Sequence, residues 1–180
     1  MEHANKLLEG NKIYLRPLEQ SDKESIYLAL TNEEVRKMTG SKKVFTREQI
    51  NGYYDRISSD DSRVDLTICT QEDDEVVGDI SILEINPLNR NAYIRVALNE
   101  PKYFGRGYGS EAMKLMVKFG FQTLNLHRIE LNVYSFNERG IKTYEKLGFK
   151  KEGVQREALF YEGQYHDSII MGILESEFIE

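Results

Sequence analysis

Polar and apolar residues alternate over residues 12–16 (KIYLR), a two-residue period that predicts a strand with side chains split between two faces. Ser21, followed by Glu24 three residues on, has the spacing of a reciprocal helix cap. The helix it opens would run through Ile26, Leu28 and Leu30. Thr46 and Gln49 repeat that spacing at the head of a second helix over 46–57. The chain then returns to short periods. Strands are predicted over 64–70, 75–85 and 91–98, joined by the acidic run 71–75 (QEDDE) and by 86–89 (NPLN). Such short connections make an antiparallel meander. After Tyr108 the period lengthens: Ala112, Leu115, Met116 and Phe119 fall on one helical face. A strand over 127–133 follows, then a helix over 137–147 with Asn137 as its cap and Gly148 as its stop. Two last strands meet at a Glu162-Gly163 turn. The order implies a mixed sheet with a few helices packed on it.

Composition narrows the class. The chain has 180 residues, enough for one domain with a substantial core and marginal for two. A single domain over 1–180 is expected, with an ordered core of about 10–175. The net charge of −6 argues against general nucleic-acid affinity, which needs a basic face, and is compatible with cationic substrates. Cys69 is the one cysteine, so no internal disulfide forms and a reducing compartment is expected. No apolar run approaches a membrane span, and the opening MEHANKLLEG lacks a signal-peptide core. The cytoplasm is the expected location, with no membrane partner. His3, His127 and His166 are scattered without carboxylate spacing, which predicts no metal site. Cys69, within an alternating strand, reads as a buried apolar residue. Tyr53 and Tyr54 either line an acceptor pocket or pack on the sheet.

The candidate chemistry lies in FGRGYGS, residues 104–110. Gly105, Gly107 and Gly109 fall between a strand and an amphipathic helix. A helix start exposes unpaired N–H groups and partial positive charge, and missing side chains let the backbone approach an anion. Arg106 adds a cation. The reading is a pyrophosphate cradle made mostly of main chain; an ordinary glycine turn has the same spacing. A Walker loop is ruled out because no Lys-Ser/Thr pair follows Gly109, and the dinucleotide G-x-G-x-x-G fails on its last interval.

With these residues in view, the chain resembles the GNAT family of N-acetyltransferases over nearly its whole length. The order of elements, the R-G-x-G cradle and the string Asn137, Tyr144, Gly148, Phe149 carry the resemblance. Residues 15–18 (LRPL), Glu152-Gly153 and Gly163-Gln164-Tyr165 with Asp167 are similar to the branch holding ribosomal-protein N-terminal acetyltransferases and spermidine acetyltransferases. The resemblance implies an α/β (α+β) fold: a mixed, mostly antiparallel central sheet of six to seven strands with about four helices on both faces. It implies acetyl-CoA as co-substrate and no metal. Phe104, Gly105, Arg106, Gly107, Tyr108, Gly109 and Ser110 would hold the pyrophosphate, with Phe104 standing where the family usually has Gln or Arg. Main chain at Val96, Ala97 and Leu98 would pair with the pantetheine, and Asn137 would contact the cofactor arm. Gly140, usually alanine in this string, weakens the start of its helix.

Acetyl transfer to an amine needs a donor for developing oxyanion charge and a proton for the leaving thiolate. By resemblance, the Leu98 N–H supplies the first and Tyr144 the second. Read from periodicity alone, Tyr144 shares a core face with Ile141 and Leu147. For the general base, Tyr93 stands where relatives often carry a glutamate, and Glu84 is the substitute, with a water relay or a merely solvated carboxylate as alternatives. The acceptor expected is a protein N-terminus or small amine. The basic stretch 38–45 (MTGSKKVF) would repel a polycation, which places a polyamine second. A non-catalytic acyl-CoA sensor is the reading from another class, and an intact Tyr144 argues against it. A homodimer is common in the related enzymes.

Overall fold

The structure is a computed structural model that describes residues 5–179, so His3 lies outside the described residues. Among these residues, eight strands form one sheet in the order β1-β2-β3-β4-β5-β6-β8-β7. The front half is antiparallel: β1 (Leu8–Glu9), β2 (Ile13–Pro17), β3 (Val64–Thr70), β4 (Val76–Asn86) and β5 (Asn91–Leu98). Next comes β6 (Arg128–Tyr134), which runs parallel to β5. β8 (Gln164–Leu174) inserts between β6 and β7 (Lys150–Tyr161), and both of its neighbours are antiparallel to it. The mixed, mostly antiparallel sheet is as expected, with one strand more than the upper count. That strand, β1, is only two residues long and carries no period to read.

Among the described residues, five helices accompany the sheet: α1 (Lys23–Thr31), α2 (Glu33–Thr39), α3 (Arg47–Ile57), α4 (Tyr108–Gln122) and α5 (Glu138–Lys146). Helix α2 is the addition to the expected set. It is seven residues long, opened by Asn32, whose side chain accepts the Val35 amide, and closed by left-handed Gly40. The Thr46–Gln49 reciprocal cap of α3 is present, as is the Asn137 cap of α5. Ser21 does not cap α1. Residues Gln20–Asp22 form a short 3-10 turn, and the Asp22 carboxylate turns inward. There it accepts both Nη groups of Arg16 at 2.8 Å, the Thr67 hydroxyl and the Glu19 amide. Burial alone would raise this carboxyl, but the Arg16, Glu19 and Thr67 hydrogen bonds hold it below the usual range. The pair fastens the entry of α1 to β2 and β3.

Strand alternation separates two layers. Ile80, Ile82 and Ala92 are essentially inaccessible, and they share one core with Met113 and Met116 of α4. Burying each such side chain stabilises by roughly 1.5–3 kcal/mol. Alternation puts Asp79 and Ser81 on the other face, beneath α1, α2 and α3. Cys69 is buried, as its strand position predicts.

Candidate active site

The one parallel pairing is short. β5 and β6 are in register only at Asn91–Arg128, Ala92–Ile129 and Tyr93–Glu130. Beyond these pairs, Ile94 to Leu98 and Leu131 to Tyr134 part and face each other across a cavity of about 540 Å³. The other edge of β5 stays bonded to β4, where Asn99 donates its amide to the Val77 carbonyl at 2.9 Å. Antiparallel ladders alternate, so Ala97 also bonds towards β4 while the amides of Val96 and Leu98 turn into the gap. Main-chain donors therefore line one wall of the opening.

The gap leads to the glycine segment. Gly105 and Gly107 have φ of +74° and +90°, a region costly for residues with a β carbon, and Gly107 is the N-cap of α4. Among the described residues, no acceptor takes the amides of Tyr108, Gly109 or Ser110, which open the helix. Phe104, Gly105, Gly107, Tyr108, Gly109 and Ser110 all line the cavity. Arg106 does not. It is exposed, and its carbonyl accepts Lys12 Nζ at 3.0 Å. The cation on the cavity wall is instead Arg139 of α5, whose guanidinium lies 4.9 Å from the Phe104 ring centre and beside Gly105. Sequence reasoning missed both Lys12 and Arg139, since each reaches the segment from a distant element. Lys12 is placed by Glu111, whose carboxylate accepts the amides of Asn11, Lys12 and Ile13. Unpaired amides, a side-chain-free loop and flanking cations fit a diphosphate, and the amide-lined gap fits the extended arm behind it.

Tyr144 lines the same cavity, half-buried on α5, with its ring edge-on to Phe149 at 6.2 Å. Its hydroxyl meets no hydrogen-bond partner among the described residues, and burial pushes its pKa up. Asn137 also lines the cavity while its Oδ1 accepts the Gly140 amide at 3.0 Å. A β carbon on Gly140 would come within 2.7 Å of the Asn137 amide nitrogen, so the glycine makes room for this cap. Glu84 is not brought to the site. It is exposed at φ +54° where the β4–β5 register shifts, and it lies outside the cavity lining.

A second cavity of about 320 Å³ adjoins the first on the α1–α3 side, and both are lined by Val35, Thr39, Arg95 and Ala97. Its wall is otherwise mainly apolar, with Leu18, Ile26, Leu30, Phe45 and Ile57, and it carries the carboxylates of Asp65 and Asp79. Tyr53 lines it and Tyr54 does not. Arg63 holds Asp65 through two contacts of 2.7 Å and reaches the Tyr53 hydroxyl at 3.1 Å. Ser81 donates to Asp65 at 2.6 Å, and Arg95 donates to Asp79 at 2.7 Å. Burial pushes the Asp79 carboxyl above its ordinary range; Arg95 opposes the rise and Asp65 adds to it. This cavity draws on residues from Leu18 to Ala97, and no sequence spacing announces it.

Strands parted beside a glycine-opened helix, with a tyrosine facing the gap, define an N-acetyltransferase fold. Known proteins agree. A family model described as an acetyltransferase (GNAT) domain matches residues 12–150, and the chain belongs to the GNAT family. Spermidine N(1)-acetyltransferase of Escherichia coli K12 is 30% identical over 170 residues, covering 94% of this chain and 90% of that protein. The probable N-acetyltransferase YjcK of Bacillus subtilis is 32% identical over 181 residues, covering 95% and 98%. The crystal structure of spermidine N-acetyltransferase from Vibrio cholerae in complex with CoA and spermine superposes with a TM-score of 0.88 at 24% identity, covering 95% of this chain and 100% of that one. At that identity the likeness speaks for the fold. Among the described residues, no helix is long and apolar enough to cross a membrane.

Proposed function

We propose that this protein transfers the acetyl group of acetyl-CoA to a primary amine on an aliphatic stem, a polyamine such as spermidine. The observation that carries the reading is the meeting of two cavities at Arg95 and Ala97: one amide-lined and holding Tyr144, the other apolar with two carboxylates. Acetyl-CoA supplies an activated thioester. The amides of Tyr108, Gly109 and Ser110, with Arg139 and Lys12 nearby, hold its diphosphate. Val96 and Leu98 present N–H groups to the arm, and the Leu98 amide is the donor for negative charge on the thioester oxygen. Tyr144 gives its hydroxyl proton to the departing sulfur.

The polyamine replaces the protein N-terminus as first choice for two reasons. The E. coli relative acts on spermidine by name. Of the lysines expected to repel a polycation, neither lines the second cavity: Lys42 Nζ lies 5.9 Å from the Phe160 ring, and Lys43 Nζ lies 5.0 Å from the ring of Phe45, an apolar wall residue. A chain of methylenes between ammonium groups suits apolar walls interrupted by carboxylates.

The test is an acceptor screen by thiol release, with spermidine, spermine, short peptides with free N-termini and aminoglycosides. Fastest turnover of the polyamines supports the reading. Turnover of peptides with inert polyamines would move the acceptor to protein N-termini. CoA binding without turnover of any amine would make the protein a sensor.

A further inference from the structure

Glu84 stands outside the cavities, which leaves the amine without an assigned proton acceptor. The second cavity contains two carboxylates in different states. Asp65 is held on both oxygens: Oδ1 accepts Arg63 Nη2 and Ser81 Oγ, and Oδ2 accepts Arg63 Nε. Asp79 is held on one side only. Its Oδ2 accepts Arg95 Nη1 at 2.7 Å, while Oδ1 accepts no hydrogen bond from any described residue. The side chain is 21% exposed and lines the second cavity. The same Arg95 nitrogen reaches Ser81 Oγ at 3.3 Å. A ladder of polar groups, Tyr53–Arg63–Asp65–Ser81–Arg95–Asp79, thus crosses the sheet and ends on an open carboxylate oxygen.

Resting on the acetyl-transfer reading above, we propose that Asp79 binds the acceptor's ammonium group and takes its proton. Its register partner on β5 is Ala97, which belongs to both cavities, so the carboxylate sits next to the passage between them. The steps balance. The ammonium gives one proton to Asp79 and becomes a neutral amine. Its lone pair forms the bond to the thioester carbonyl carbon as the carbon–sulfur bond breaks. Tyr144 protonates the sulfur and is restored by the second proton leaving nitrogen, and Asp79 releases the first to solvent. Burial raises the carboxyl, a shift in the direction that favours proton uptake. The charged and titratable groups facing it are Arg95 from β5, Asp65 with Arg63 from β3, and Tyr53 from α3.

The experiment compares wild type with Asp79→Asn, which keeps the side-chain shape and an oxygen for Arg95. Thiol release is measured against pH with spermidine, beside CoA affinity by calorimetry and thermal unfolding. The expected result is a fall in kcat/KM of about 10²-fold or more, with loss of the acid limb of the pH profile and CoA affinity within twofold. Matching rates and profiles, in a wild type that turns over the amine, would remove Asp79 and leave the acetyl-transfer reading standing. A wild type that binds CoA yet acetylates no amine would remove both. Should the asparagine variant not fold, Asp79→Glu decides. The acid limb must then persist with a moved midpoint, and an unmoved midpoint would mean that another group titrates.

Discussion

Tyr144→Phe separates chemistry from architecture, because only the hydroxyl changes. The ring keeps its edge contact with Phe149 and its place against the core beside Ile141 and Leu147. The deleted oxygen has no hydrogen-bond partner among the described residues, so no buried group is orphaned and stability should move by less than about 0.5 kcal/mol. CoA binding loses at most one weak contact to sulfur and should stay within about threefold. On the proposed role of Tyr144, turnover should lose a general acid, a contribution of about 10²–10⁴-fold, or roughly 2.7–5.4 kcal/mol at 1.36 kcal/mol per decade. The pH profile gives a second reading. Burial raises the Tyr144 pKa, so the wild-type acid stays protonated past its ordinary value and its rate falls only as pH rises through the raised pKa. The phenylalanine variant lacks that alkaline decline. Thiol release under saturating acetyl-CoA, with calorimetry on CoA alone, measures all of this. Equal kcat in the two proteins, or a matched loss of CoA affinity and rate, would refute the assignment.

Gly107→Ala places a β carbon at φ +90° and 3.4 Å from Lys12 Nζ. It should cost about 1–2 kcal/mol and lower CoA affinity, and thermal melts with and without CoA would read both effects. Asp22→Asn leaves the buried Arg16 with only the exposed Glu19 carboxylate, 3.8 Å away, and should lower unfolding free energy by about 3 kcal/mol in a urea titration. Because the folded Asp22 pKa is depressed, its contribution is full above the unfolded value of about 3.9 and is lost as pH falls through the folded pKa, a slope that the asparagine variant should flatten in acid unfolding followed by circular dichroism. Glu84→Gln alters an exposed residue outside both cavities and should keep kcat/KM within about twofold, whereas a tenfold loss in the thiol-release assay would return Glu84 to the mechanism.

Local chemistry made much of this fold legible. Two-residue alternation marked the strands that bury one face, and Thr46, Asn137 and Gly148 marked helix ends because each satisfies specific terminal groups. The glycine segment was readable because its backbone conformation excludes most side chains. Helix α2 was missed because seven residues span too few turns to show a period, although Asn32 and Gly40 were signals at its two ends. Ser21 was misread because a tertiary partner, Arg16, claimed Asp22 and moved the helix start. Glu84 lies outside the cavities for a related reason: alternation along β4 breaks at its left-handed backbone, and no spacing rule foresees that shift. Arg139 and Asp79 became visible only when α5 met Phe104 and when α1–α3 closed over the sheet. Both are products of long-range packing.

The shortness of the β5–β6 register has a mechanical meaning. Two blocks of sheet, β1 to β5 and β6 with β8 and β7, are sewn to one another by three residue pairs, by the bonds of Arg90 to His127, Arg128 and Glu175 at the same end, and by the helices that bridge them. A ligand whose arm lies along Val96 and Leu98 acts as an additional strand across that seam. Nucleotide occupancy then becomes part of the protein's cohesion, adding about 2.7 kcal/mol at a hundredfold excess over Kd. Amide exchange along Leu131 to Tyr134 should slow with loading, because the seam is where the unloaded sheet has least to hold it shut.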